Sequence, residues 1–107
     1  MTAQDRARVL AAMTIRPGKA NGIKGWELAQ MLELHQREVR QAITDLRLEG
    51  IAICGKPDTG YFIAATPEEL EETCNFLRSR AMHSLTLESK LRHVPLPELL
   101  GQLRLKT

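Results

Sequence analysis

Apolar residues recur three and four positions apart in three stretches near the start of the chain. That spacing predicts three short amphipathic helices. The first covers residues 2–13, where Val9, Leu10 and Met13 form the apolar stripe and Arg6 stands among the polar positions. Thr2 is placed to cap it, and Asp5 follows three residues later, near the positive end of the helix dipole. Residues 16–22 read RPGKANG, a loop by their Pro, Gly and Asn content, and Ile23 with its neighbours predicts a very short strand. The second helix is expected over 25–33, with Trp26, Leu28, Ala29 and Leu32 pointing inward. After a tight connection at Leu34 and His35, the third covers 36–49 and buries Val39, Ala42, Ile43 and Leu46. Gly50 ends it, because glycine readily adopts the left-handed conformation that a helix terminus needs.

The pattern then changes. Two apolar runs, IAIC and YFIA, flank GKPDTG and predict a β-hairpin over 51–64. Thr66-Pro67-Glu68-Glu69 announces another helix: a capping threonine, a proline at the first helical position and a glutamate completing a capping box. This helix is expected over 67–91, with Leu70, Cys74, Leu77, Ala81 and Leu85 tracking one face. Pro95 and Pro97 interrupt it, and Pro97 starts a short last helix with Leu96, Leu99, Leu100 and Leu103 on one side. The fold class is α+β, mostly α, divided into a domain at 1–65 and a helical extension at 66–107.

Charge sharpens this picture more through its distribution than its total. The 107-residue chain carries a formal net charge of +2, too small to declare a nucleic-acid partner. Yet the first 65 residues hold nine Lys/Arg against seven Asp/Glu, and the last 30 hold six against two. The acidic cluster Glu68, Glu69, Glu71 and Glu72 masks both regions in the sum, and phosphate binding follows local charge. Arg78, Arg80, His83, Lys90, Arg92 and His93 read as the outer face and basic end of a helix, which suits its dipole.

Enzyme chemistry finds no footing: the sequence has no Gly-rich phosphate loop, nucleophile elbow or paired carboxylates in an apolar setting. Cys54, Cys74, His83 and His93 match no zinc spacing, and no metal or cofactor is expected. The two cysteines lie in apolar contexts and read as reduced, buried thiols of a cytoplasmic protein. No apolar stretch approaches the roughly 20 residues that span a bilayer, so no membrane partner is expected.

The order helix, short strand, helix, helix, hairpin carries the functional reading. The segment GWELAQMLELHQREVRQAITDLRLEGIAICGKPDTGYFIA resembles the winged helix-turn-helix domains of bacterial and phage regulators, the likeness covering roughly residues 5–65. It departs from the common pattern at Leu34-His35-Gln36, where many members have a glycine and a Ser/Thr cap. The resemblance implies a transcription regulator that binds double-stranded DNA, with the 36–49 helix in the major groove and the 51–64 hairpin as a wing on the backbone or minor groove. With Val39, Ile43 and Leu46 inward, Gln36, Arg37, Arg40, Gln41, Thr44 and Arg47 are expected on the outer side. Arginine pairs with guanine and glutamine with adenine through two hydrogen bonds each. Lys56 at the hairpin tip, with Lys19 and Lys24 beside the first helices, is expected to meet phosphates.

Two other readings stand beside this one. Such a polar face is often only solvated, Glu33 and Arg37 being spaced for an i,i+4 pair, and the same domain serves as a protein-interaction module that adapts or inhibits a replication or transcription protein. For the extension, Leu70, Leu77, Leu85, Leu91, Leu99, Leu100 and Leu103 exceed what a 65-residue domain needs to cover itself. They predict a homodimer, though packing across the protein's own domain competes.

Overall fold

The computed structural model describes residues 2–104, without the side chain of Arg104. It is mostly helical, with one two-stranded antiparallel sheet. The chain divides into two compact units, residues 1–73 and 74–107.

The first unit opens with α1 (Ala3–Thr14), α2 (Gly25–Leu32) and α3 (Gln36–Leu48). At the start of α1 the Thr2 hydroxyl accepts the Asp5 N–H at 3.1 Å, and Asp5 accepts the Thr2 N–H at 3.2 Å. This reciprocal pair satisfies two backbone donors that a helix start leaves over. Val9 and Met13 of α1, Leu28 and Ala29 of α2, and Val39, Ala42, Ile43 and Leu46 of α3 then close over one core. These are positions that the helical period selects.

Trp26 is the exception. It was expected inward and is 55% exposed. The helical period explains this: Trp26 lies about 200° round α2 from Leu28, so angle prevails over side-chain size.

The turn between α2 and α3 is tight because Glu33 takes the left-handed conformation, with φ 56° and ψ 44°. Leu34 N–H then reaches back to the Ala29 carbonyl at 2.9 Å, the bond that commonly seals a helix C-terminus. His35 precedes α3, and Glu38 accepts its N–H at 3.1 Å. A glutamate pays conformational energy at Glu33 that glycine avoids. Glu33→Gly should therefore stabilise the first unit by about 1 kcal/mol, read as a higher midpoint in thermal unfolding.

The hairpin follows as β1 (Ile53–Lys56) and β2 (Gly60–Ile63), in register from Ile53 opposite Ile63 to Lys56 opposite Gly60. Its loop is shorter than the expected GKPDTG. Gly55, Lys56 and Gly60 belong to the ladder, and only residues 57–59 turn. The Thr59 hydroxyl holds this turn by accepting the Lys56 N–H at 3.0 Å. The outer edge of β2 is covered by the 16–23 loop: Gly18 N–H donates to the Ile63 carbonyl, and Ile23 and Tyr61 exchange both backbone bonds at 2.7 and 2.9 Å. Ile23 thus forms a single bridge in place of the expected strand.

The first turns of α4 (Pro67–Arg92) also belong to this unit. Thr66 accepts the Glu69 N–H at 3.2 Å, while Glu69 reaches back to the Ala65 N–H at 2.8 Å. The expected capping box is thereby shifted by one residue on its glutamate side. Buried Thr73 accepts the Gly55 N–H at 3.1 Å.

The second unit holds the rest of α4 and α5 (Leu96–Arg104). The Ser89 hydroxyl donates to the Val94 carbonyl, and His93 makes the turn with φ 56°. Among the expected dimer leucines of this unit, Leu77, Leu91 and Leu103 are exposed. Leu85 and Leu100 are half-buried. Leu99 is buried at 3% exposure and so is not on an outward face. Leu70, at the first-unit end of α4, is exposed. Cys54 is buried as expected, but Cys74 is exposed. Thr73 takes the inward position, and the helix carries the next residue about 100° further round. No helix among the described residues is long and apolar enough to cross a membrane.

Candidate nucleic-acid interface

The same helical period that buries one side of α3 displays the other. Gln36, Arg37, Arg40, Gln41 and Thr44 are all exposed. Arg37 and Arg40 make no hydrogen bond or ion pair within the described residues, so both guanidiniums present their donors outward. The i,i+4 pair between Glu33 and Arg37 is not made. Gln41 donates to Asp45 at 2.9 Å, which fixes its amide at the centre of the face. An open recess of about 530 Å³ at the start of the helix is lined by His35, Arg37, Glu38 and Gln41.

Arg47 departs from its expected place on this face. It is half-buried, donates from Nε to the Ile53 carbonyl at 2.8 Å, and lies over the Tyr61 ring at 5.8 Å from its centroid. The chain turns back into the hairpin just after α3, which brings a strand carbonyl and an aromatic face within reach of the last helical turn. A guanidinium gains from both contacts. Arg47 therefore braces α3 against the hairpin.

The three lysines expected at phosphates are all engaged within the first unit. Lys24 donates its ammonium to the Pro57 and Asp58 carbonyls at 3.0 and 2.6 Å, closing the hairpin loop. Lys56 meets Glu72 at 2.6 Å, and Lys19 meets the same carboxylate at 3.1 Å. Glu69 also accepts the Lys19 N–H at 2.9 Å. The acidic cluster thus has a structural role: two of its glutamates hold the hairpin and the 16–23 loop to the start of α4. Sequence reasoning noticed the cluster but not its targets, because Lys19 and Glu72 are separated by 53 positions.

These contacts set the acid response. Hydrogen bonds from Lys56 and then Lys19 lower the Glu72 pKa, and backbone N–H groups of Lys19 and Ala65 lower that of Glu69. A carboxyl depressed on folding contributes stability above its unfolded pKa, and that contribution disappears as pH falls through the folded value. The first unit should lose stability progressively below about pH 4.3, the value for an unperturbed glutamate. Thermal unfolding at stepped pH checks this. The loss should be smaller in Glu69→Gln with Glu72→Gln, and an equal loss in both proteins would assign it to other groups.

Among the described residues, no group of three His, Cys, Asp or Glu side chains is placed to hold a metal ion. Comparison with protein-family models, curated proteins and solved structures finds no match to this chain.

Proposed function

We propose that the first unit is a winged helix-turn-helix domain that binds double-stranded DNA in a sequence-specific manner and acts in transcription regulation. In this reading α3 enters the major groove and the hairpin lies as a wing on the flanking backbone or minor groove. The carrying observation is the pair Arg37 and Arg40. They are exposed, unpaired within the described residues, and share a face with Gln36, Gln41 and Thr44 opposite the core side of one helix. Major-groove edges offer guanine acceptors and adenine donor–acceptor pairs that these side chains fit. Lys19, Lys24 and Lys56 contribute less than the sequence suggests, because their ammonium groups already have partners.

Binding to a random-sequence duplex, followed by selection from randomised duplexes, tests the proposal. At physiological salt a Kd of about 10⁻⁴ to 10⁻⁶ M is expected for random sequence, tightening as salt falls. Because Lys19, Lys24 and Lys56 already have partners, the slope should correspond to few phosphates, about −0.9 for each. Absence of binding at low salt, or recovery of no preferred sequence, overturns the proposal.

A second reading has an observation of its own. Trp26 is 55% exposed, Met31 49% and Leu48 81%, while Lys19, Lys24 and Lys56 are held by partners within the first unit. Such a surface also suits a protein-interaction module. If DNA binding fails, capture of a protein partner that Trp26→Ala abolishes supports this alternative.

A further inference from the structure

Two ammoniums converge on one carboxylate of the first unit. Lys56 Nζ stands 2.6 Å and Lys19 Nζ 3.1 Å from the same Glu72 oxygen, and Lys19 also reaches the second oxygen at 3.3 Å. Both pairs lie at the surface, with the Lys56, Glu72 and Lys19 side chains 25%, 41% and 47% exposed. Ion pairs as open as these contribute about 0–1 kcal/mol to stability. The fold does not depend on them, because other bonds already join the same elements. Gly18 N–H donates to the Ile63 carbonyl at 2.8 Å, and Thr73 of α4 accepts the Gly55 N–H at 3.1 Å.

Neither lysine owes its place to Glu72. The Lys19 N–H is held by Glu69 at 2.9 Å, and the Lys56 N–H by Thr59 at 3.0 Å. Taking the Glu72 charge away therefore leaves two cations side by side, which repel each other and favour an anion between them. A backbone phosphate carries the same single negative charge as a carboxylate and accepts hydrogen bonds from lysine in the same way. Lys56 also ends β1 beside the 57–59 turn, at the tip of the hairpin that the DNA reading lays against the duplex.

We infer that Lys19 and Lys56 form a phosphate site that the Glu72 carboxylate fills in the free protein, so that Glu72 restrains sequence-independent binding of duplex DNA. The restraint on DNA rests on the reading of α3 and the hairpin given above; the site itself does not.

Glu72→Gln keeps the length of the side chain and removes its charge. Its affinity for a random-sequence duplex, followed by fluorescence anisotropy from 50 to 200 mM salt, is to be compared with that of the wild-type chain. Two lysines released to phosphates should steepen the slope of log K against log salt by about 1.8, so that lowering salt from 200 to 50 mM strengthens binding about 12-fold more in the variant. Glu71→Gln is the control. It changes the net charge equally, but Glu71 makes no bond within the described residues, so its slope should match the wild type's. An unchanged slope in Glu72→Gln, or an equal change in Glu71→Gln, overturns the inference. Inorganic polyphosphate, which has neither bases nor grooves, separates this from failure of the DNA reading. Glu72→Gln should bind it more tightly than the wild type does, and should lose that gain when Lys19→Gln and Lys56→Gln are added. Equal binding of polyphosphate by variant and wild type overturns the inference, whatever happens with DNA. A gain on polyphosphate with no duplex binding by either protein overturns the DNA reading, and with it the restraint on DNA, but supports the phosphate site.

Discussion

Alanine at both Arg37 and Arg40 should remove the base discrimination of the proposed DNA complex while leaving the fold intact. Each well-made bidentate contact is worth about 1–3 kcal/mol of discrimination, so the pair accounts for about 2–6 kcal/mol, or a drop of roughly 30-fold to 10⁴-fold at the selected site. The fold should tolerate the change because both side chains are exposed and make no bond within the described residues, and alanine is the stronger helix former. Competition binding with the selected duplex and a scrambled one separates the two losses: specific affinity should fall much further than affinity for the scrambled duplex. If the selected site is bound unchanged, the outer face of α3 is not the reading surface.

Gly60→Ala should lower the stability of the first unit substantially. Gly60 has φ 76°, a conformation that side chains other than glycine rarely take, and its missing Cβ would stand 2.6 Å from the carbonyl carbon and oxygen of Ile23. The neighbour is backbone, held in place by the two bonds between Ile23 and Tyr61, so it cannot rotate aside. Left-handed strain and overpacking each cost about 1–3 kcal/mol. The first unit should lose about 3 kcal/mol, lowering its thermal midpoint by roughly 12 °C or more. Gly101→Ala is the control. Nothing lies within 4 Å of a Cβ there, and Gly101 sits inside α5, so that substitution should be neutral or stabilising. A fall of 1 °C or less for Gly60→Ala would show that the 16–23 loop gives way more readily than its backbone bonds imply.

The helices were legible in the sequence because their information is local. The spacing of Val9 and Met13, of Leu28 and Ala29, and of Val39, Ile43 and Leu46 states both the element and its buried side. The cap at Thr2 was readable for the same reason. Where size, composition and period disagreed, period or long-range contact prevailed. Trp26 is large and apolar yet on the wrong side of α2. Gly55 and Gly60 suggest a loop but occupy strand positions where two backbones approach too closely for a side chain. Cys74 sits in an apolar context and is nevertheless exposed.

The proposed site was legible in its centre and not at its edges. Gln36, Arg37, Arg40, Gln41 and Thr44 follow from helical geometry alone. Arg47, Lys19, Lys24 and Lys56 depend on partners that are distant along the chain or come from a neighbouring turn, and no periodicity announces a carboxylate 53 residues away. The signal that was available is the density of acid at 68–72 beside a hairpin with a single lysine.

In the proposed DNA complex, the contact of Arg47 with the Ile53 carbonyl and the Tyr61 ring bears on tolerance to insertions in the duplex. Helix and hairpin joined in this way act as a fixed gauge: the distance between what α3 touches and what the hairpin touches is set when the chain folds. Little ordering entropy then remains to be lost on docking. The same rigidity leaves no slack for an extra base pair between the two contact points. In the proposed complex a target lengthened there should be treated as a different site, and a variant lacking the Arg47 guanidinium should bind the original site less tightly.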